Sequence, residues 1–399
     1  MPETIYLDYA ATTPPLPAVA DAVREAMLAH HGNASSQHAT GRSARRTLED
    51  ARERIAALLG ASPGRNDRLL LTSGGTESNN HALRGAMPAA VKGGVPSGGG
   101  GHLITSAIEH PSIVAIADRL AAEGHRVDRL PADASGVTRL DALHDLIRPE
   151  GEPHPTRLVS LVLGNSETGV LQPLDRVVEI AGGFGVPVHT DATQAVGRHP
   201  IDFAASGVAM MTFAAHKFHG PTGIGGLLVR GDCRPAPLLA GQAEAERPGT
   251  PPVALAVGML AALEAGAAEL AGRIAHLRQL RDRFEQQILA AINGVAVDGV
   301  AVIGADADRL PHTSCLAFIG RDRQAILMAL DRAGIACSTG SACASGSSEP
   351  SPVLAAMGLP NQQIRGALRF SFGVPTTAAE VDESVARIRA VCGRLRVAK

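Results

Sequence analysis

Five stretches of this sequence hold side chains whose type and placement could do chemistry. Thr72–Asn80 (TSGGTESNN) follows an apolar run and opens a helical one. Glycines 74 and 75 let the backbone approach a ligand closely, and the free N–H groups of a helix start attract an anion. Thr76 can add a hydroxyl to the same anion, although the run also reads as an ordinary helix cap. His189–Gln194 (HTDATQ) ends another apolar run, where an aspartate points into the crevice in which open α/β sheets bind ligands. Asp191 there either keeps a ring nitrogen protonated, making the ring an electron sink, or caps the next helix. Phe213–Pro221 (FAAHKFHGP) sets Lys217 between a buried strand and a tight Gly-Pro turn. Apolar and cationic surroundings lower an amine's pKa and favour imine formation with an aldehyde; a solvated surface lysine is the alternative.

The remaining two stretches lie in the last third. Cys343 sits in Ser338–Ser351, whose Gly- and Ser-rich flanks allow a cysteine to travel between a buried substrate and an outside acceptor. The role of a small buried cysteine suits Cys233, Cys315 and Cys392, and Cys337 reads as structural. In Ala367–Gly373, Leu368, Phe370 and Phe372 alternate onto one face, which turns Arg369 and Ser371 to the other.

These residues need a scaffold, and the apolar periodicity predicts one. Strands are expected at Leu69–Thr72, His102–Thr105, Leu158–Leu163, Pro187–Thr190, Ala209–Phe213 and Gly226–Val229. Helical patterns fall between them at Arg42–Leu59, Glu77–Ala86, Ser112–Glu123 and Leu174–Gly182. That alternation implies an α/β domain with a mostly parallel sheet covered on both faces. Beyond Pro252 come a long, broken helix Val253–Ile288, strands near Val295–Val302 and Cys315–Ile319, a helix Arg323–Ala333 and the strand Ala367–Gly373. The expected division is a large domain at 15–252 and a smaller α+β domain from 1–14 plus 253–399, with the Cys343 loop at about 337–351.

Composition narrows the function. The 399 residues are 45% hydrophobic and 19% charged, as in a globular chain with a substantial core. A formal net charge of -2 and 3% aromatics, with no Trp, argue against nucleic acid or an anionic membrane as partner. Five scattered cysteines without a CxxC pair argue against a disulfide framework and against a bound metal. The start lacks a secretory pattern, and the apolar stretch Val253–Leu277 is broken by Glu264, Glu269 and Arg273. A cytoplasmic location is expected.

Taken in this order, the anion-binding turn, Asp191 and Lys217 resemble fold-type I pyridoxal-phosphate enzymes, specifically the class V aminotransferase family. The resemblance runs nearly end to end, through Tyr6–Pro14, Gly32–Ser36, Ile108–His110, Asn165–Gly169 and Asp191–Gln194. It implies that Lys217 holds pyridoxal 5'-phosphate as an imine, that Asp191 pairs with the ring nitrogen and that Gln194 bonds the ring's phenolic oxygen. His110 would stack on the ring and assist proton transfer, while Gly75, Thr76 and His216 hold the phosphate. Thr250 would reach the phosphate of a neighbouring subunit, which implies a homodimer. The Ser338–Ser351 loop is similar to that of the cysteine desulfurases of the NifS/IscS type. Arg369 would then bind the carboxylate of L-cysteine with Asn165 and Asn33, and Cys343 would take the sulfur as a persulfide and release alanine. A sulfur-acceptor protein follows, an iron–sulfur scaffold or a tRNA-thiolation relay. The alternatives are a selenocysteine lyase or another enzyme of the family, and a non-catalytic sulfur-relay scaffold. Ala214 stands where the family has Ser, Ala243 and Glu244 where it more often has Glu and Arg, and Ala34 where it has Pro. The first of these implies one phosphate hydroxyl fewer.

Overall fold

The structure is a computed structural model that describes residues 3–88, 100–241, 246–293, 299–340 and 350–394. Its strands are β1 (Ile5–Tyr6), β2 (Arg68–Thr72), β3 (His102–Ser106), β4 (Arg126–Leu130), β5 (Thr156–Val162) and β6 (Val188–Asp191). They continue with β7 (Met210–Ala214), β8 (Gly225–Val229), β9 (Val300–Val302), β10 (Thr313–Phe318), β11 (Ile335–Ala336) and β12 (Ala367–Ser371). A seven-stranded sheet runs in the order β2-β8-β7-β6-β5-β3-β4, parallel throughout except at β8, which is antiparallel to both neighbours.

The strand sequences explain why both faces are covered. Side chains alternate across a strand, so neighbouring apolar residues serve opposite layers. Leu69 and Leu71, Ile104, Val159 and Leu161, and Met211 and Phe213 enter one core. Leu70, Leu103, Leu158 and Met210 enter the other, where they meet α3 (Gly75–Ala86) and α4 (Pro111–Ala122) through Leu83, Ile113 and Leu120. The first core is closed by α2 (Ala39–Leu58) and by the helices Leu174–Gly182 and Val253–Ala267, with α1 (Pro17–Ala29) lying against the last of these. The expected boundary at 252 therefore falls one helix too early. Val253, Ala256, Met259 and Leu263 are buried in the first core, because that helix is apolar nearly all round and has no wet face to turn outward.

The chain bends by 77° before helix Leu270–Asn293, and among the described residues no single helix is long and apolar enough to cross a membrane. This helix and Ala378–Arg394 cover the antiparallel sheet β12-β10-β9, around a separate core of Phe284, Phe318, Phe370 and Phe372 joined by Ile5 and Leu7. Phe284 is wholly buried, with ring centroids 5.0 Å from Phe370 and 5.4 Å from Phe372. The alternation expected in Ala367–Gly373 is thus present, and it leaves Arg369 on the side facing the large sheet's carboxyl edge.

Candidate active site

At the carboxyl ends of β2, β6 and β7, seven of the expected residues converge. Gly75, Thr76, His110, Asp191, Gln194, His216 and Lys217 all line one cavity of about 260 Å3. The N-terminus of α3 opens onto it, with its first N–H groups free of helical partners. A Cβ at Gly75 would stand 3.1 Å from Thr193 Oγ1, a tight contact that glycine avoids. Ala214 also lines the cavity, so no hydroxyl comes from that position.

Lys217 follows β7 on a single 3-10 turn, and His219 behind it is held at φ 67, a left-handed conformation uncommon for a side chain of this size. Thr13 Oγ1 accepts from the His219 N–H at 2.7 Å and fixes that turn. The Lys217 Nζ donates to the carbonyls of Ala10 at 2.8 Å and Ala11 at 2.7 Å. Its pKa falls to about 7, first through burial and then through the Arg369 and Arg198 cations, with Asp191 and Asp8 opposing. Lys217 thus sits as a buried amine with two cations near it.

Asp191 is 4% exposed; its Oδ2 accepts from Asn79 Nδ2 at 2.7 Å and its Oδ1 from the Thr193 N–H at 2.9 Å. Burial, and then Lys217 and Arg369, hold His110 below the usual imidazole range, with Asp191 opposing. His110 is also the N-cap of α4, accepting from the Ser112 N–H. Next to it, burial pushes the Glu109 carboxyl up to about 8, while Ser106 and the Val162 N–H donate to it. Gln194 Nε2 donates to the Ala10 carbonyl at 2.9 Å. Its Oε1 is taken by Arg198 Nη1 at 3.1 Å, so the amide turns its NH2 end, a donor, away from Arg198. His216 Nδ1 lies 3.1 Å from Thr12 Oγ1, and burial, Lys217 and Arg198 lower its pKa to about 4.

Other expected residues are placed differently. Arg369 is 2% exposed beside the cavity, and its Nη2 donates to Asp8 at 2.8 Å and its Nη1 to the Ser166 carbonyl at 2.9 Å. Its Nε is buried and has no hydrogen-bond partner among the described residues. Asn165 does not line the cavity. It is 2% exposed and organises its own turn: Oδ1 accepts from the Glu167 and Thr168 N–H groups, and Nδ2 donates to the Ile108 carbonyl. An Asn-X-X-Thr turn satisfies the amide locally, and this competes with the carboxylate contact expected of it. Asn33 and Thr250 are exposed and lie away from the cavity, at a second concavity of about 480 Å3 lined by their neighbours Ala34, Ser35, Gly249 and Pro251. Cys343, with Ala243 and Glu244, lies outside the described residues. Burial raises the thiols of Cys315 and Cys337, and Cys337 packs against the second core.

The class-V aminotransferase family profile matches residues 5–383. The chain belongs to that family, within its cysteine desulfurases. It is 41% identical to an "IscS-like cysteine desulfurase" of Mycobacterium tuberculosis over 98% of this chain and 97% of that one. Among solved structures, a "NifS-like protein" superposes with a TM-score of 0.86 at 29% identity, covering 98% and 100% of the two chains. SspA, solved in complex with cysteine, superposes with a TM-score of 0.75 at 30% identity over 92% and 99%. The fold is therefore that of the fold-type I enzymes, and members of the family work with pyridoxal phosphate.

The cavity fits that cofactor on its own terms. Among the described residues Thr193 Oγ1 is buried without a partner, beside Gly75 and the start of α3, where a phosphate oxygen could use it. Asp191 offers a buried carboxylate to a ring nitrogen, and Lys217 offers a depressed amine to an aldehyde. Sequence reasoning missed Thr193, Asn79, Arg198 and Asp8. Asn79 alone carried a signal, standing one helical turn after Gly75 and Thr76 on α3.

Proposed function

We propose that this chain is a pyridoxal-phosphate-dependent cysteine desulfurase that converts L-cysteine to L-alanine and hands the sulfur, as a persulfide on Cys343, to an acceptor protein. The observation that carries this reading is the convergence of Lys217, Asp191 and His110 on one cavity, with Arg369 beside it. Pyridoxal phosphate, when bound, supplies an electron sink for the pair left when the α-proton of the substrate is removed. The start of α3, Thr76, Thr193 and His216 would hold its phosphate, and Asp191 would keep a proton on its ring nitrogen.

The chain's own residues then divide the work. Arg369 binds the substrate carboxylate with a guanidinium whose Nε has no partner among the described residues. Lys217, neutral in about half of the molecules at pH 7, takes the α-proton. The Cys343 thiolate attacks the substrate sulfur. The new S–S bond forms as the Cβ–S bond breaks; Cβ keeps the electron pair and takes a proton, and the α-carbon regains the proton that Lys217 removed, which gives alanine.

SspA in complex with cysteine supports this choice of substrate. The IscS-like relative supports an acceptor in iron–sulfur assembly, and a tRNA-thiolation relay would use the same chemistry. Exposed Thr250 and Asn33, whose chain neighbours line a separate concavity, suit a homodimer in which Thr250 reaches the neighbouring phosphate. Four described cysteines without disulfides suit a reducing cytoplasm.

The test is Cys343→Ala. The loaded variant should keep its visible absorption band and lose sulfide and alanine release from L-cysteine by about a hundredfold or more. Full-rate turnover by that variant would remove Cys343 from the reaction. A wild-type protein that stays inert and colourless with pyridoxal phosphate would favour a scaffold role.

A further inference from the structure

Along one wall of the cavity, α3 and α4 are joined by a chain of hydrogen bonds that runs from Asp191 to His110. Asn79, 1% exposed, gives one Nδ2 proton to Asp191 Oδ2 at 2.7 Å and the other to Ser112 Oγ at 3.0 Å. The opposite amide orientation would set its carbonyl oxygen against the carboxylate, two acceptors face to face, so the direction is forced. Ser112 Oγ already accepts from Asn79. Its one proton is available to His110 Nδ1, 2.7 Å away. The same Nδ1 accepts the Ser112 backbone N–H at 3.1 Å, and a backbone N–H can only donate. Two donors therefore meet on Nδ1, and the proton of the neutral ring must sit on Nε2.

We propose that Asn79 and Ser112 are positioning residues that lock His110 in its Nε2–H tautomer, so that the ring presents a donor to the cavity. The proposal rests on the desulfurase reading for its consequence in turnover, while the tautomer itself is a property of the chain. His110 would then hand over or share a proton through Nε2, leaving Lys217 as the base. Asp191, at the far end of the chain, orients the whole array through Asn79. The charged groups facing the ring are Asp191, Lys217 and Arg369.

The experiment is nitrogen–proton correlation NMR on the pyridoxal-phosphate-loaded protein with 15N-labelled histidines, the His110 signals being assigned with His110→Gln. The wild type should show a protonated Nε2 and a bare Nδ1. Ser112→Ala, which removes one donor to the neutral ring, should raise the His110 titration midpoint by about one unit, and Ser112→Thr should restore it. Asn79→Ala removes the amide that orients the Ser112 hydroxyl. It should leave Nδ1 bare, because the Ser112 N–H still donates there, but raise the His110 midpoint by less than Ser112→Ala does and lower kcat by up to about tenfold, with KM for L-cysteine within about twofold. A wild type with Nδ1 protonated, or His110 signals unmoved in both Ser112→Ala and Asn79→Ala, overturns the proposal. A wild type with the predicted tautomer but no turnover of L-cysteine would uphold the lock and sink the desulfurase reading instead.

Discussion

Removing the cation at position 369 should make Lys217 a worse nucleophile, and the size of the effect can be worked from the site. Burial is the main cause of the depressed amine, followed by Arg369 and then Arg198, while Asp191 and Asp8 oppose them. With a pKa of about 7, about half of the amines are neutral at pH 7. An ordinary lysine near 10.4 would leave only about 0.04% neutral, so the site raises the reactive form about a thousandfold. Arg369→Met removes the stronger of the two cations and also frees Asp8, whose 2.8 Å ion pair it breaks. Both changes favour the ammonium. At an effective dielectric near 20 they should raise the midpoint by about one unit, which lowers the neutral fraction at pH 7 from about a half to about a tenth. Trace acetylation of the cofactor-free protein with acetic anhydride, read peptide by peptide, measures this directly. Labelling of Lys217 should climb about tenfold per pH unit below pH 7 and level off above it. Arg369→Met should label about fivefold more slowly at pH 7 and equally fast at pH 10. A wild-type rate still climbing tenfold per unit between pH 8 and 10, or an unchanged midpoint in the variant, would refute the electrostatic account.

Two further outcomes are expected. Arg369→Lys keeps the charge but loses the fork, so KM for L-cysteine should rise about tenfold or more in steady-state assays while the Lys217 labelling midpoint stays near that of the wild type. Phe284→Ala empties the centre of the second core, where two neighbouring rings lose their contact, and should cost about 3–5 kcal/mol in urea unfolding of the loaded protein.

Much of the sheet was legible because its strands are buried on both faces, and such strands read as short apolar runs. β4 was not, since Arg126, Asp128 and Arg129 interrupt it. It is an edge strand paired only with β3, where charged residues are favoured and apolar ones are not required. The helix Val253–Ala267 was recognised, but its core was not. An apolar surface shows that a helix is buried without showing what buries it. The site divides in the same way. Asp191 ends the buried strand β6 and Lys217 stands one short turn past β7, so local order alone suggested their placement. Asp8, Arg198 and Ser112 act through partners 361, 4 and 2 residues away, and none of these pairings shows in residue type or apolar periodicity. Asn165 shows the converse, a residue whose local turn consumed the groups expected to serve a ligand.

The segment Asp8–Thr13 explains how two cores can act as one site. Tyr9 and Ala10 give carbonyls to Arg198 and Lys217, and Thr12 and Thr13 hold His216. From the same segment, Asp8 pairs with Arg369 and the Ala10 N–H donates to Ser371 Oγ at 2.8 Å, both on β12 of the second core. Six consecutive residues therefore contact the amine on one side and the carboxylate fork on the other. A displacement of this segment would move both together, changing the Lys217 amine through Asp8 and the Arg369 geometry at once. The electrostatics of Lys217 thus depend on the seating of the second core, although Lys217 itself belongs to the first.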